Sequence, residues 1–189
     1  QYGGFAKGFE RRIYDLGKYR PDDPMFPYNP GLFGSGNNMA FRRDVLESIG
    51  RFDPILGNGT PALGGVDIEA FFRVIIAGHR LVYEPNALVR HLHRADYQGL
   101  ARQVYSFSVG TTATLTKSLL RNPGLLPSFV RALPAAVRFT FTSSSPLHEG
   151  KAADYPRELT WLDRKGLLYG PIAYLRSCFW WKSVARSRR

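Results

Sequence analysis

Gly64-Gly65-Val66-Asp67 brings a carboxylate to the mouth of a helix. The double glycine lets the backbone turn sharply and come close to a ligand. Beyond it, Ile68, Phe71, Phe72, Ile75 and Ile76 recur at i, i+3, i+4, i+7 and i+8, the stripe of a helix with one buried side, and Gly78 closes it. Asp67 either caps this helix, as Asp often does, or faces a substrate. Upstream, Gly34-Ser35-Gly36 makes a tight turn. Asn37-Asn38 then supplies amides that donate and accept, which suits sugar hydroxyls. The stretch lacks the Gly-Lys-Ser/Thr ending of a phosphate loop. Downstream, His91 and His93 stand at i, i+2 of an expected strand, share a face, and can both reach one metal ion.

The elements around these residues follow from pattern and punctuation. Residues 1–30 read as a short helix or extended piece, then an irregular loop enforced by Pro21, Pro24, Pro27 and Pro30. Met39-Ala40-Phe41 reads as a short buried strand. Asp44 is expected to cap a helix from Val45 to Ile49, closed by Gly50. The glycines of Gly57-Asn58-Gly59-Thr60-Pro61 give a flexible lead into Asp67, the form a substrate-covering loop would take. His79 to Glu84 and Ala87 to His91 read as strands. From Tyr97 the character changes. Tyr97 to Leu120 is an expected helix, and a second starts at Pro123 with a kink at Pro134. A last helical region follows Asp154-Tyr155-Pro156.

Bulk composition limits the options. The chain has 189 residues, 44% of them hydrophobic, enough for one domain or slightly more. A net charge of +11 asks for an anionic partner. The single cysteine, Cys178, excludes an internal disulfide and a cysteine zinc site, and fits a reducing compartment. No apolar run approaches the roughly 18 residues of a membrane span. The start, without methionine or signal peptide, suggests a fragment. No acid occurs from Tyr97 to His148 or after Asp163, and the end is aromatic and basic (Phe179-Trp180-Trp181-Lys182, Arg186). Such a tail is suited to an anionic bilayer surface.

Five features in order resemble the C-terminal half of a family 2 glycosyltransferase of the GT-A fold, bacterial type. They are Gly36-Asn37-Asn38-Met39-Ala40-Phe41-Arg42-Arg43, Gly50-Arg51-Phe52-Asp53, Gly64-Gly65-Val66-Asp67, Ala77-Gly78-His79-Arg80-Leu81-Val82-Tyr83-Glu84-Pro85 and Val89-Arg90-His91-Leu92-His93-Arg94. The resemblance implies an α/β fold. It would be an incomplete GT-A-like, Rossmann-related domain with short mixed strands over residues 1–95, the acceptor-side half. A helical, basic, membrane-associated extension would follow over 96–189. It implies inverting transfer from a nucleotide-sugar donor to a hydroxyl of a lipid-linked or cell-envelope glycan. Asp67 matches the aspartate of the family's Glu-Asp base motif, with Val66 in place of the Glu. The implied substrate-binding residues are Gly36, Asn37, Asn38, Gly64, Gly65, Glu69 and Arg73. Mg2+ or Mn2+ is the implied cofactor, with His91 as a ligand and His93 as second choice. The family's Asp-x-Asp motif and nucleotide-binding strands are absent, so the missing N-terminal half is an expected partner and the chain alone is expected not to transfer sugar. The expected location is peripheral, on the cytoplasmic face of the membrane. The alternatives are a basic nucleic-acid-binding module and a non-catalytic membrane-surface adaptor.

Overall fold

The computed structural model describes residues 8–90, 96–141 and 156–187. Contacts divide the chain into two units, Gln1–Phe52 with Asp67–His93, and Asp53–Val66 with Arg94–Arg189. The second unit therefore takes a loop that lies between two segments of the first, as well as the chain beyond the composition change near residue 95.

In the first unit, β1 (Arg12–Tyr14) pairs antiparallel with β2 (Leu81–Tyr83), with Ile13 opposite Val82. Both strands are short, and they form the only sheet among the described residues. Between them run α1 (Arg43–Ser48) and α2 (Val66–Ile76). The buried side of α2 carries Ile68, Phe71, Phe72 and Ile75, as its periodicity predicts. Phe71 and Ile75 form a core with Phe26 and Phe33, and Tyr14, Phe41 and Leu81 pack against it. Aromatic contacts tie the proline loop to this core: Phe26 meets Phe33 edge-on at 5.6 Å, and Tyr28 lies 5.8 Å from Phe72. The prolines thus produce an irregular segment that is buried over residues 26–30, where Phe26 and Tyr28 give it an apolar side.

Among the described residues, two expected strands do not form. Met39 and Ala40 are exposed irregular chain, and only Phe41 turns inward, stacked on Phe71 at 6.0 Å. Residues 87–90 are also irregular and exposed. Neither stretch has a strand partner among the described residues, and a strand without a ladder leaves its backbone groups unpaired. The α1 start also differs. Arg42 occupies the cap position and Asp44 lies in the first turn, where it forms a two-pronged ion pair with Arg42 rather than capping.

The second unit is helical: α3 (Tyr97–Arg121), α4 (Leu126–Phe141) and α5 (Arg157–Ser187). Asp96 caps α3 by accepting from Gly99 N–H at 2.6 Å. Helix α4 runs through Pro134 as one element. Small residues bring α3 and α5 together. A Cβ on Gly166 would lie 2.7 Å from Tyr105 O, and one on Gly170 would lie 2.6 Å from Val109 O. The loop Asp53–Val66 seats on this pair. Leu56 and Ala62 share a core with Ala113 and Tyr174. Burial pushes the Tyr174 hydroxyl up to about 12, so it is a neutral core group at physiological pH. Asp53 pairs with Lys117 at 2.8 Å, and Ser177 Oγ donates to Ile55 O at 2.6 Å. Burial raises the Asp53 carboxyl, but the Lys117 hydrogen bond, the Ile55 N–H and nearby positive charge outweigh it and hold the group below its ordinary value.

Candidate active site

Helix α2 begins at Val66, so Asp67 lies inside its first turn and not at the cap. Its carboxylate favours the positive end of the helix. It also reaches across to the turn before α1, where Oδ2 accepts the Gly36 N–H at 2.9 Å. Among the described residues, Asp67 Oδ1 accepts no hydrogen bond, and the side chain is partly exposed.

Two glycines make this approach possible. A Cβ on Gly36 would stand 2.6 Å from Asp67 Oδ2, and one on Gly34 would stand 3.1 Å from the Phe71 ring. Asp67 and Phe71 are one helical turn apart, a rise of about 6 Å. Gly34 and Gly36 are spaced by about 6.6 Å if extended. The Gly-Ser-Gly turn therefore lies along the α2 face that presents Asp67. Gly-x-Gly matched to Asp-x-x-x-Phe was a legible signal, but it pairs segments far apart in sequence and periodicity within one element does not show it.

The neighbouring amides divide their roles. Asn38 Nδ2 donates to Ala87 O at 2.5 Å and ties the turn to the segment after β2. The Asn37 amide makes no hydrogen bond among the described residues and is exposed. Among the described residues, Asp67 Oδ1 and Asn37 are thus two polar groups at this turn that a ligand could meet.

Other expected site residues have structural partners. Glu69, buried, pairs with Arg73 at 2.8 Å. Arg73 donates to the carbonyls of Ile49, Gly50 (2.5 Å) and Arg51 (3.0 Å), which satisfies the end of α1. Both side chains brace α1 against α2. Gly64 and Gly65 have positive φ of 136° and 108°. A Cβ on Gly65 would lie 2.8 Å from Gly110 O and from Thr114 Oγ1. Their bare backbone admits helix α3, and the loop expected to cover a substrate is packed on that helix.

His91 and His93 lie outside the described residues. Among the described residues, no three or more His, Cys, Asp or Glu side chains gather as metal ligands.

No protein-family model matches the chain, and no solved structure matches it. The chain is 30% identical over 92 residues to the pre-mycofactocin glycosyltransferase of Mycobacterium tuberculosis, in strain CDC 1551 / Oshkosh and equally in strain ATCC 25618 / H37Rv. The matched stretch is 48% of this chain but 18% of each relative, so the chain corresponds to a small part of their length. The similarity relates the chain to glycosyltransferases.

Proposed function

We propose that the chain is the acceptor-side part of an inverting, GT-A-type glycosyltransferase and that Asp67 is its general base. The observation that carries this reading is the Asp67 carboxylate, held through Oδ2 by the Gly36 N–H, with Oδ1 accepting no hydrogen bond among the described residues. The similarity to a glycosyltransferase supports the reaction class.

An acceptor hydroxyl attacking the anomeric carbon must lose its proton. Oδ1 takes that proton as the new C–O bond forms. The bond to the diphosphate oxygen breaks on the opposite side, its electron pair leaves with the diphosphate, and the configuration inverts. The Gly36 contact fixes the carboxylate, and Asn37 can bond a sugar or acceptor hydroxyl. The donor is a nucleotide sugar and the acceptor a lipid-linked or envelope glycan. Nucleotide binding falls to the rest of the enzyme, so the 189-residue chain alone should not transfer sugar.

Asp67→Asn in the full-length enzyme is the direct test. Asn retains an oxygen for the Gly36 N–H but cannot serve as base. Turnover should fall by about 10² to 10⁴-fold with thermal stability preserved. Unchanged turnover would rule out the base.

A further inference from the structure

We propose that the outward face of α5 is a docking surface for an anionic lipid bilayer, with the helix lying in the plane of the surface.

One side of α5 is committed to the protein. Leu159, Gly166, Gly170, Ala173, Tyr174 and Ser177 are buried. The opposite side carries Trp161, Leu168, Ile172, Leu175 and Phe179, spaced by seven, four, three and four residues, which repeats a single helical face. These are large and exposed: Trp161 is 59%, Leu168 77% and Phe179 71% accessible. From Trp161 to Phe179 the stripe runs about 27 Å. No described helix is long and apolar enough to cross a membrane. A helix with an apolar stripe of this kind lies on a bilayer rather than through it.

The charge decides among possible occupants. The exposed charged residues of α5 are Arg157, Lys165, Arg176, Lys182 and Arg186, opposed by one acid, Glu158, which accepts from Tyr97 OH at 2.9 Å in the first turn. The other acid of α5, Asp163, is turned inward to Ser108. The cations border the stripe. Lys165 Nζ sits 5.0 Å above the Trp161 ring, and Lys182 Nζ 6.0 Å above Phe179. Flexible lysine stems next to aromatic rings can turn their ammonium heads to lipid phosphates while the rings enter the acyl chains. A second copy of the same cationic face would meet like charge. Nucleic acid would match the charge but not a stripe of five apolar side chains at its centre. Helix α4 repeats the chemistry, with Leu126, Val130, Leu133 and Val137 exposed alongside Arg131 and Arg138 and no acid anywhere in the helix. The inference does not depend on sugar transfer.

The test uses the purified 189-residue chain with vesicles of phosphatidylcholine alone or mixed with phosphatidylglycerol. Flotation and tryptophan fluorescence should show binding at least about tenfold tighter to the anionic vesicles, weakening with added salt. The double variant Leu168→Glu/Phe179→Glu should bind roughly tenfold more weakly or worse. Its helical content should match the parent because both positions are exposed. Lys165→Glu/Lys182→Glu should lose the preference for anionic vesicles. Undiminished binding by the first variant would overturn the proposal. So would equal binding to both lipids, self-association that shields Trp161 without lipid, or tighter binding to single-stranded RNA than to anionic vesicles.

Discussion

Asp67 depends on a neighbour that has no side chain of its own. Gly36 supplies an N–H to Oδ2 and the space for it, since a Cβ there would stand 2.6 Å from the same oxygen. Gly36→Ala in the full-length enzyme should displace the carboxylate and lower kcat about a hundredfold without unfolding the protein, as measured by initial rates beside a thermal melt. Gly65 acts differently. It has positive φ, and its missing Cβ leaves room for Gly110 O and Thr114 Oγ1. Gly65→Ala should cost about 2 kcal/mol of stability, read from chemical denaturation. Sequence alone marked Gly65 as a close-approach position and Gly36 as part of a tight turn. It could not say what approaches, because the partners of Gly36 and Gly65 are 31 and 45–49 residues away. Glu69 and Arg73 show the same limit. Their types and spacing are those of a polar site, and only the carbonyls of Ile49, Gly50 and Arg51, just past α1, show that Arg73 is a brace.

Among elements, α2 was the most legible, since a 3.6-residue stripe needs no partner to be recognised. The helices beyond residue 96 were also expected from the sequence, and the structure adds the Asp96 cap of the first of them. The strands were legible only in part: the segment from His79 to Glu84 holds β2. Met39-Ala40-Phe41 and 87–90 have strand-like composition, but a strand exists only with a neighbour, and β1 and β2 are the only such pair described. The α1–α2 brace makes a prediction at this scale. Arg73 gives hydrogen bonds to three successive carbonyls and pairs with buried Glu69. Arg73→Met leaves the Glu69 charge without that partner and the end of α1 uncapped. The expected loss is about 3 kcal/mol, measured by denaturant midpoint.

Across the whole molecule, the two units draw on interleaved stretches of chain. Asp53–Val66 contributes Leu56, Ala62 and the Asp53–Lys117 pair to the helical unit. The Asp53 carboxyl is held below its ordinary value. Its contribution is therefore complete above the unfolded value of about 3.9 and is lost as pH falls through the lower folded value. Thermal midpoints of the parent should drop through that acid window, and those of Asp53→Asn should be lower at neutral pH and show a smaller acid-dependent decrease.

Ser177 Oγ bonds to Ile55 O across 122 residues of sequence. The helices of this unit are local structures that form quickly, but their shared core stays open until a loop from far upstream arrives. The unit has helical composition and the closure entropy of a long-range topology. Its refolding should accordingly be biphasic in stopped-flow experiments: fast gain of far-ultraviolet signal, then slower burial of Tyr174 and its neighbours. Residues 96–189 expressed alone should show only the first phase.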